Sequence, residues 1–117
     1  MDIIKVRNKF EISEFHQIVY TLYKNQKNWI PHLKQDVESV FNPKQNSYHK
    51  HGEIERFILK KNNKTIGRIA VFYSRKKIKK DLLKVGGIGF FECINSQDAA
   101  DLLLNTAISW LKEKNIE

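Results

Sequence analysis

Glu92 is the residue of this sequence best suited to acid–base chemistry. It lies in the apolar run Gly89-Phe90-Phe91-Glu92-Cys93-Ile94, and a carboxylate held on such a strand can take a proton from an amine, directly or through water. Two bland readings stand beside this one: a glutamate on the solvent face, or a partner for Arg68. Cys93 is the one thiol of the chain. No histidine or acid forms a recognisable pattern with it, so between Glu92 and Ile94 it reads as a small core residue. His49, His51 and Glu53 alternate and could share one side of an extended segment, but two imidazoles and a carboxylate in a polar loop do not fix a metal geometry. No metal site is expected. Gly86, Gly87 and Gly89 open no helix and so do not form a phosphate loop; a bulge or a close approach of another element explains them better.

Positioning Glu92 requires a sheet, and the hydrophobic periodicity supplies one. Ile3-Ile4-Lys5-Val6 reads as an opening strand. Ser13 offers an N-cap, and Phe15, Ile18, Val19, Leu22 and Tyr23 form one helical stripe behind it. Residues 24–28 read as a loop. Pro31 suits a helix entrance, and Leu33, Val37, Val40 and Phe41 form a second, shorter stripe ended by Asn42-Pro43. After a polar loop over 44–52, two extended runs beginning at Ile54 and Thr65 flank Asn62-Asn63, a pair that tolerates the positive φ of a tight hairpin turn. Residues 75–80 read as a loop and 86–94 as a further strand. Asn95 or Ser96 caps a last helix whose expected buried face is Ala100, Leu103, Leu104, Ala107, Ile108 and Leu111, with Trp110 at its border. The predicted order is β-α-α-β-β-β-α, an α/β (α+β) fold with a mostly antiparallel sheet.

Bulk properties narrow the function classes. At 117 residues, with 29% charged and 41% hydrophobic residues, the chain is expected to form a single domain over residues 1–117 with a modest core. A single cysteine excludes an internal disulfide framework. No apolar run is long enough for a membrane-spanning helix, and Met1-Asp2-Ile3-Ile4-Lys5 has no signal-peptide character, so a cytoplasmic location is the expectation. The net charge of +8 draws heavily on Arg75-Lys76-Lys77-Ile78-Lys79-Lys80. Such a run can bind nucleic acid, but a solvated loop is the commoner role and Tyr73 is the nearest aromatic, so nucleic acid ranks last among the partners.

The element order and several motifs resemble those of GNAT-like bacterial proteins, usually labelled N-acetyltransferases. The matching residues are Leu22-Tyr23-Lys24, Asn28-Trp29-Ile30-Pro31-His32-Leu33, Asp36, Asn42-Pro43-Lys44, Asn46, Glu53, Gly67-Arg68-Ile69-Ala70, Gly89-Phe90-Phe91-Glu92-Cys93-Ile94, Gln97-Asp98-Ala99-Ala100 and Trp110-Leu111-Lys112. The resemblance covers nearly the whole chain but only the N-terminal part of those longer proteins, so a truncated portion of the fold, without a complete active site, is the expectation. It implies an acyl-CoA-dependent N-acyltransferase in which a substrate amine attacks the thioester of acetyl-CoA or another acyl-CoA. Glu92 would then be the base, Phe91, Cys93 and Ile94 would align the pantetheine arm through their backbone, and Asn95, Ser96 and Gln97 would meet the pyrophosphate. The family's phosphate loop carries glycine where residues 95–100 have none, and Asp98 puts an acid in the first helical turn. The alternative reading is a non-catalytic module that pairs through an exposed sheet edge, with itself or with a missing C-terminal part.

Overall fold

The computed structural model of the chain describes residues 1–24, 38, 40–41, 52–78 and 81–114, and for 74–78 and 81–85 the backbone path alone. Its elements are β1 (Asp2–Lys5), α1 (Lys9–Tyr23), β2 (Gly52–Lys61), β3 (Lys64–Ile78), β4 (Asp81–Cys93) and α2 (Gln97–Glu113). The four strands form one sheet in the order β1-β2-β3-β4, and every pairing is antiparallel. The α+β reading therefore stands. The second helical stripe, from Leu33 to Phe41, falls mostly outside the described residues, as do Trp29-Ile30-Pro31 and the histidines at 49 and 51.

Alternation along β2 and β3 builds two cores, one on each face of the sheet. Phe57, Leu59, Ile69, Val71 and Tyr73 face α2, where they bury Ala99, Leu103, Ala107 and Trp110. Trp110 is thus inside, its ring 5.7 Å from that of Tyr73, whereas Ile108, expected on the buried face, is 43% exposed. The alanines thin the helix surface and let α2 approach the sheet closely. Gly67 shows how closely: a Cβ there would lie 2.7 Å from Leu103 Cδ1, 3.0 Å from Cys93 Cβ and 3.2 Å from the Glu92 carbonyl.

The opposite face meets α1. Here Val6, Phe15 and Ile58 are buried, with Ile4, Ile12, Phe41 and Phe90 packed around them. α1 begins earlier than Ser13 suggests. Asn8 caps it by accepting the Glu11 backbone N–H at 2.8 Å, and Glu11 reaches back to the Asn8 N–H at 3.2 Å, so two otherwise unpaired groups satisfy each other.

The α1 face also buries two arginines, Arg56 and Arg68. Their guanidinium carbons lie 5.2 Å and 4.7 Å from the centre of the Phe15 ring. Arg56 is held bidentately by Glu38 at 2.7 Å on both oxygens, and buried His16 meets the same carboxylate at 2.6 Å. Burial pushes the Glu38 carboxyl up, but the hydrogen bonds and charges of Arg56 and His16 outweigh it and hold the group below its ordinary range.

The chain reverses between β2 and β3 at Asn62 and Asn63, with φ of 51° and 63°, the left-handed pair that a two-residue hairpin turn needs. Residues 75–78, expected in a loop, continue β3, pairing Arg75 with Lys84 and Ile78 with Asp81. A long hairpin with its ladder intact satisfies backbone groups that a loop would leave to solvent, and charge alone does not break a strand.

Gly67→Val should lower stability by about 1–3 kcal/mol, the usual cost of overpacking, seen as a lower urea midpoint at unchanged slope. Because the Glu38 pKa is depressed on folding, its contribution is present above the unfolded value of about 4.3 and is lost as pH falls through the folded one. Glu38→Gln should therefore be less stable than wild type at neutral pH, and the gap in urea midpoint should narrow on acidification below about pH 4.3.

Candidate functional site

Strand β4 departs from regular pairing at the residues singled out for chemistry. Arg68 pairs with Glu92 and Ala70 with Gly89, so Ile69 alone stands opposite both Phe90 and Phe91. This is a β-bulge. It falls just after the glycines, not at one of them: Phe90 itself adopts φ 51°, at a cost of about 1–2 kcal/mol for a residue with a side chain. The extra residue turns the Phe90 ring to the α1 side, 6.4 Å from Phe15 and 5.6 Å from Phe41, and this aromatic packing offsets the strain. Gly87 serves the other purpose expected of the glycines, since a Cβ there would lie 2.6 Å from the Phe72 ring.

Arg68 and Glu92 share a face and a register position, yet they form no ion pair. Instead Arg68 donates to the Phe15 carbonyl at 3.0 Å, and its buried Nε has no hydrogen-bond partner among the described residues. Burial lowers its pKa, and the neighbouring Glu92 charge works against that. The Glu92 carboxylate is taken by Tyr23, whose hydroxyl donates to Oε2. Tyr23 is the last residue of α1. Its spacing puts it in the apolar stripe, and its polar role is invisible in the sequence because the contact spans 69 positions and no local pattern signals it.

Cys93 is half-buried and pairs with Gly67. Burial and, secondarily, the Glu92 charge push its thiol pKa up, which disfavours the nucleophilic thiolate. The hairpin closes where the Ile94 N–H donates to the Ile66 carbonyl at 2.9 Å. Phe91 and Ile94 are each 38% exposed, as Ile88 is at 39%, so the outer strand presents apolar side chains beside the bulge.

Ser96, not Asn95, caps α2, accepting the Ala99 N–H at 3.3 Å. The backbone N–H groups of Gln97 and Asp98 have no place in the helix's own ladder and point out of its positive end. The Gln97 side chain bonds along the helix to Asp101 at 2.7 Å, and Asp98 adds a second acid at this end. Sites elsewhere are less suited to chemistry. Glu53 is engaged by the Tyr73 hydroxyl at 2.6 Å and by Lys114 at 3.1 Å, and no cluster of metal-ligating side chains occurs among the described residues. A groove of about 400 Å³ between β1 and α2, lined by Lys5, Phe57, Leu102 and Trp110 among others, includes none of residues 90–97.

Solved structures superpose on this fold over nearly its whole length. An acetyltransferase from Vibrio fischeri superposes with a TM-score of 0.66 over 100% of this chain and 91% of its own, at 12% identity. The fold is GNAT-like. A predicted acetyltransferase from Clostridium acetobutylicum, solved with acetyl-CoA, gives a TM-score of 0.69 at 17% identity over 99% of this chain and 76% of its own. An aminoglycoside 6'-N-acetyltransferase from Acinetobacter haemolyticus gives 0.63 at 12% identity, over 99% and 74%. No family model matches the sequence, and no curated protein does. Among the described residues no helix is long and apolar enough to cross a membrane.

Replacing Ser96 with Ala should cost about 1 kcal/mol, read as a lower urea midpoint, because the helix start at the site loses its cap.

Proposed function

We propose that this chain is an acyl-CoA-dependent N-acyltransferase whose cofactor lies along the outer edge of β4. The observation that carries the reading is the bulge at Phe90-Phe91. It twists the strand at Phe91 and ahead of Cys93, whose backbone would align the pantetheine amides, whereas the Ile94 N–H is already given to the Ile66 carbonyl and its carbonyl to the Ser96 N–H. The same path leads to the start of α2, where the backbone at Asn95 and Gln97 would meet the pyrophosphate, the Ser96 N–H being held by the Ile94 carbonyl at 2.7 Å. A GNAT-like neighbour solved with acetyl-CoA supports this choice of ligand.

In the proposed reaction the acceptor amine attacks the thioester carbonyl, and the N–C bond forms as the S–C bond breaks. The amine's proton passes to Glu92, and the CoA sulfur leaves with the electron pair of the broken bond. Glu92 lies on the α1 side of β4, the strand that would hold the thioester, so base and cofactor share a few residues of one strand. Cys93, with its raised pKa, has no nucleophilic part in this scheme.

The acids at the start of α2 oppose the pyrophosphate. Calorimetry with acetyl-CoA should give micromolar affinity, and Asp98→Asn should bind about two- to five-fold more tightly, since removing an acid near a bound anion is favourable by a few tenths to about 1 kcal/mol. No binding by either form would sink the reading. Thiol release from acetyl-CoA in the presence of a panel of primary amines then identifies the acceptor.

A further inference from the structure

We infer that Tyr23 is a positioning residue that fixes the Glu92 carboxylate, leaving one oxygen bound and the other free for the acceptor amine. The inference rests on the acyltransferase reading of Glu92, and its own support is geometric. Tyr23 Oη donates to Glu92 Oε2 from the last residue of α1, and both side chains are half-buried. Oε1 has no hydrogen bond among the described residues. The two oxygens are therefore unequal: one is occupied by a donor and one is open to accept a proton.

α1 is not free to withdraw that donor. Phe15, one residue before His16 on the same helix, is fully buried, and its carbonyl accepts from Arg68 at 3.0 Å. Arg68 in turn sits opposite Glu92 in the sheet. One helix thus engages both members of the cross-strand pair, Arg68 through its backbone and Glu92 through Tyr23. This explains why the arginine and the glutamate do not simply pair with each other: each is drawn to α1. A base held in one rotamer loses no time in unproductive orientations, and small displacements of a base cost large factors in rate.

Among the described residues, Glu92, Arg68 and Cys93 act on the Tyr23 hydroxyl. The hydrogen bond to Glu92, then burial, then the Glu92 charge hold the phenol pKa above its ordinary range, the Arg68 charge works the other way, and Cys93 adds slightly to the rise. Tyr23 therefore stays a donor across the working pH range and does not compete with Glu92 as base.

The test uses the full chain as wild type, Tyr23→Phe, Glu92→Gln and the double variant. Alkaline titration by tyrosinate absorbance, with circular dichroism confirming that the chain stays folded, reads the pair without turnover. Wild type should show a late-titrating tyrosine that is absent from Tyr23→Phe and that moves to lower pH in Glu92→Gln. An unmoved tyrosine in Glu92→Gln would overturn the inference. With acetyl-CoA and the amine that turns over fastest, Tyr23→Phe should lower kcat about ten-fold at unchanged KM for acetyl-CoA, against about 100-fold or more for Glu92→Gln. The double variant should match Glu92→Gln, because Tyr23 acts through the carboxylate. Full kcat in Tyr23→Phe, with Glu92→Gln impaired, would overturn the positioning role and leave the base in place. Wild-type rates in Glu92→Gln would instead overturn the reading of Glu92 as base, and the inference with it.

Discussion

Phe15 anchors the structure. Its ring lies beneath two buried guanidiniums, from β2 and β3, and its carbonyl accepts from one of them. Buried cations are expensive unless paired, and the fold answers each differently. Arg56 has Glu38 on both oxygens. Arg68 has a backbone carbonyl, aromatic faces and the nearby Glu92 charge, with Nε left over. Cation–aromatic contacts of this kind are worth more when desolvated, so α1 is fixed to the sheet by polar contacts as much as by apolar ones.

From that anchor the geometry of the site follows. α1 is set in position along the sheet, which brings Tyr23 to Glu92. The Phe90 ring completes the aromatic group around Phe15, and its left-handed backbone is what the bulge requires. On the other face, Gly67 and the alanines of α2 let the helix settle against the sheet, so the start of α2 emerges directly after the bulged strand. Two helices on two faces thus converge on residues 90–97.

Much of this was legible locally. Asn62-Asn63 announces its turn because few residues accept two successive positive φ values. The alternation of β2 and β3 and the stripe of α2 give the fold class. Asn8 with Glu11 is a capping box that the sequence contains, although Ser13 stands closer to the apolar stripe. The basic run at 75–78 reads as a loop from its charge alone, whereas its pairing partners lie in residues 81–84. The helical stripe alone puts Trp110 at the border, because it does not show the Tyr73 ring that Trp110 packs against.

The site was legible in part. Glu92 stands out by its type in an apolar strand. Tyr23, Arg68 and the bulge do not, because each is defined by a contact between distant segments or by a register shift that neither strand shows alone. The central claim, that the β4 bulge and the start of α2 form one acyl-CoA site, is tested most directly by mapping backbone amide shifts on addition of acetyl-CoA. The account predicts perturbations concentrated at Phe90–Asp98. Perturbations confined to the groove between β1 and α2, around Lys5, Leu102 and Trp110, would contradict it.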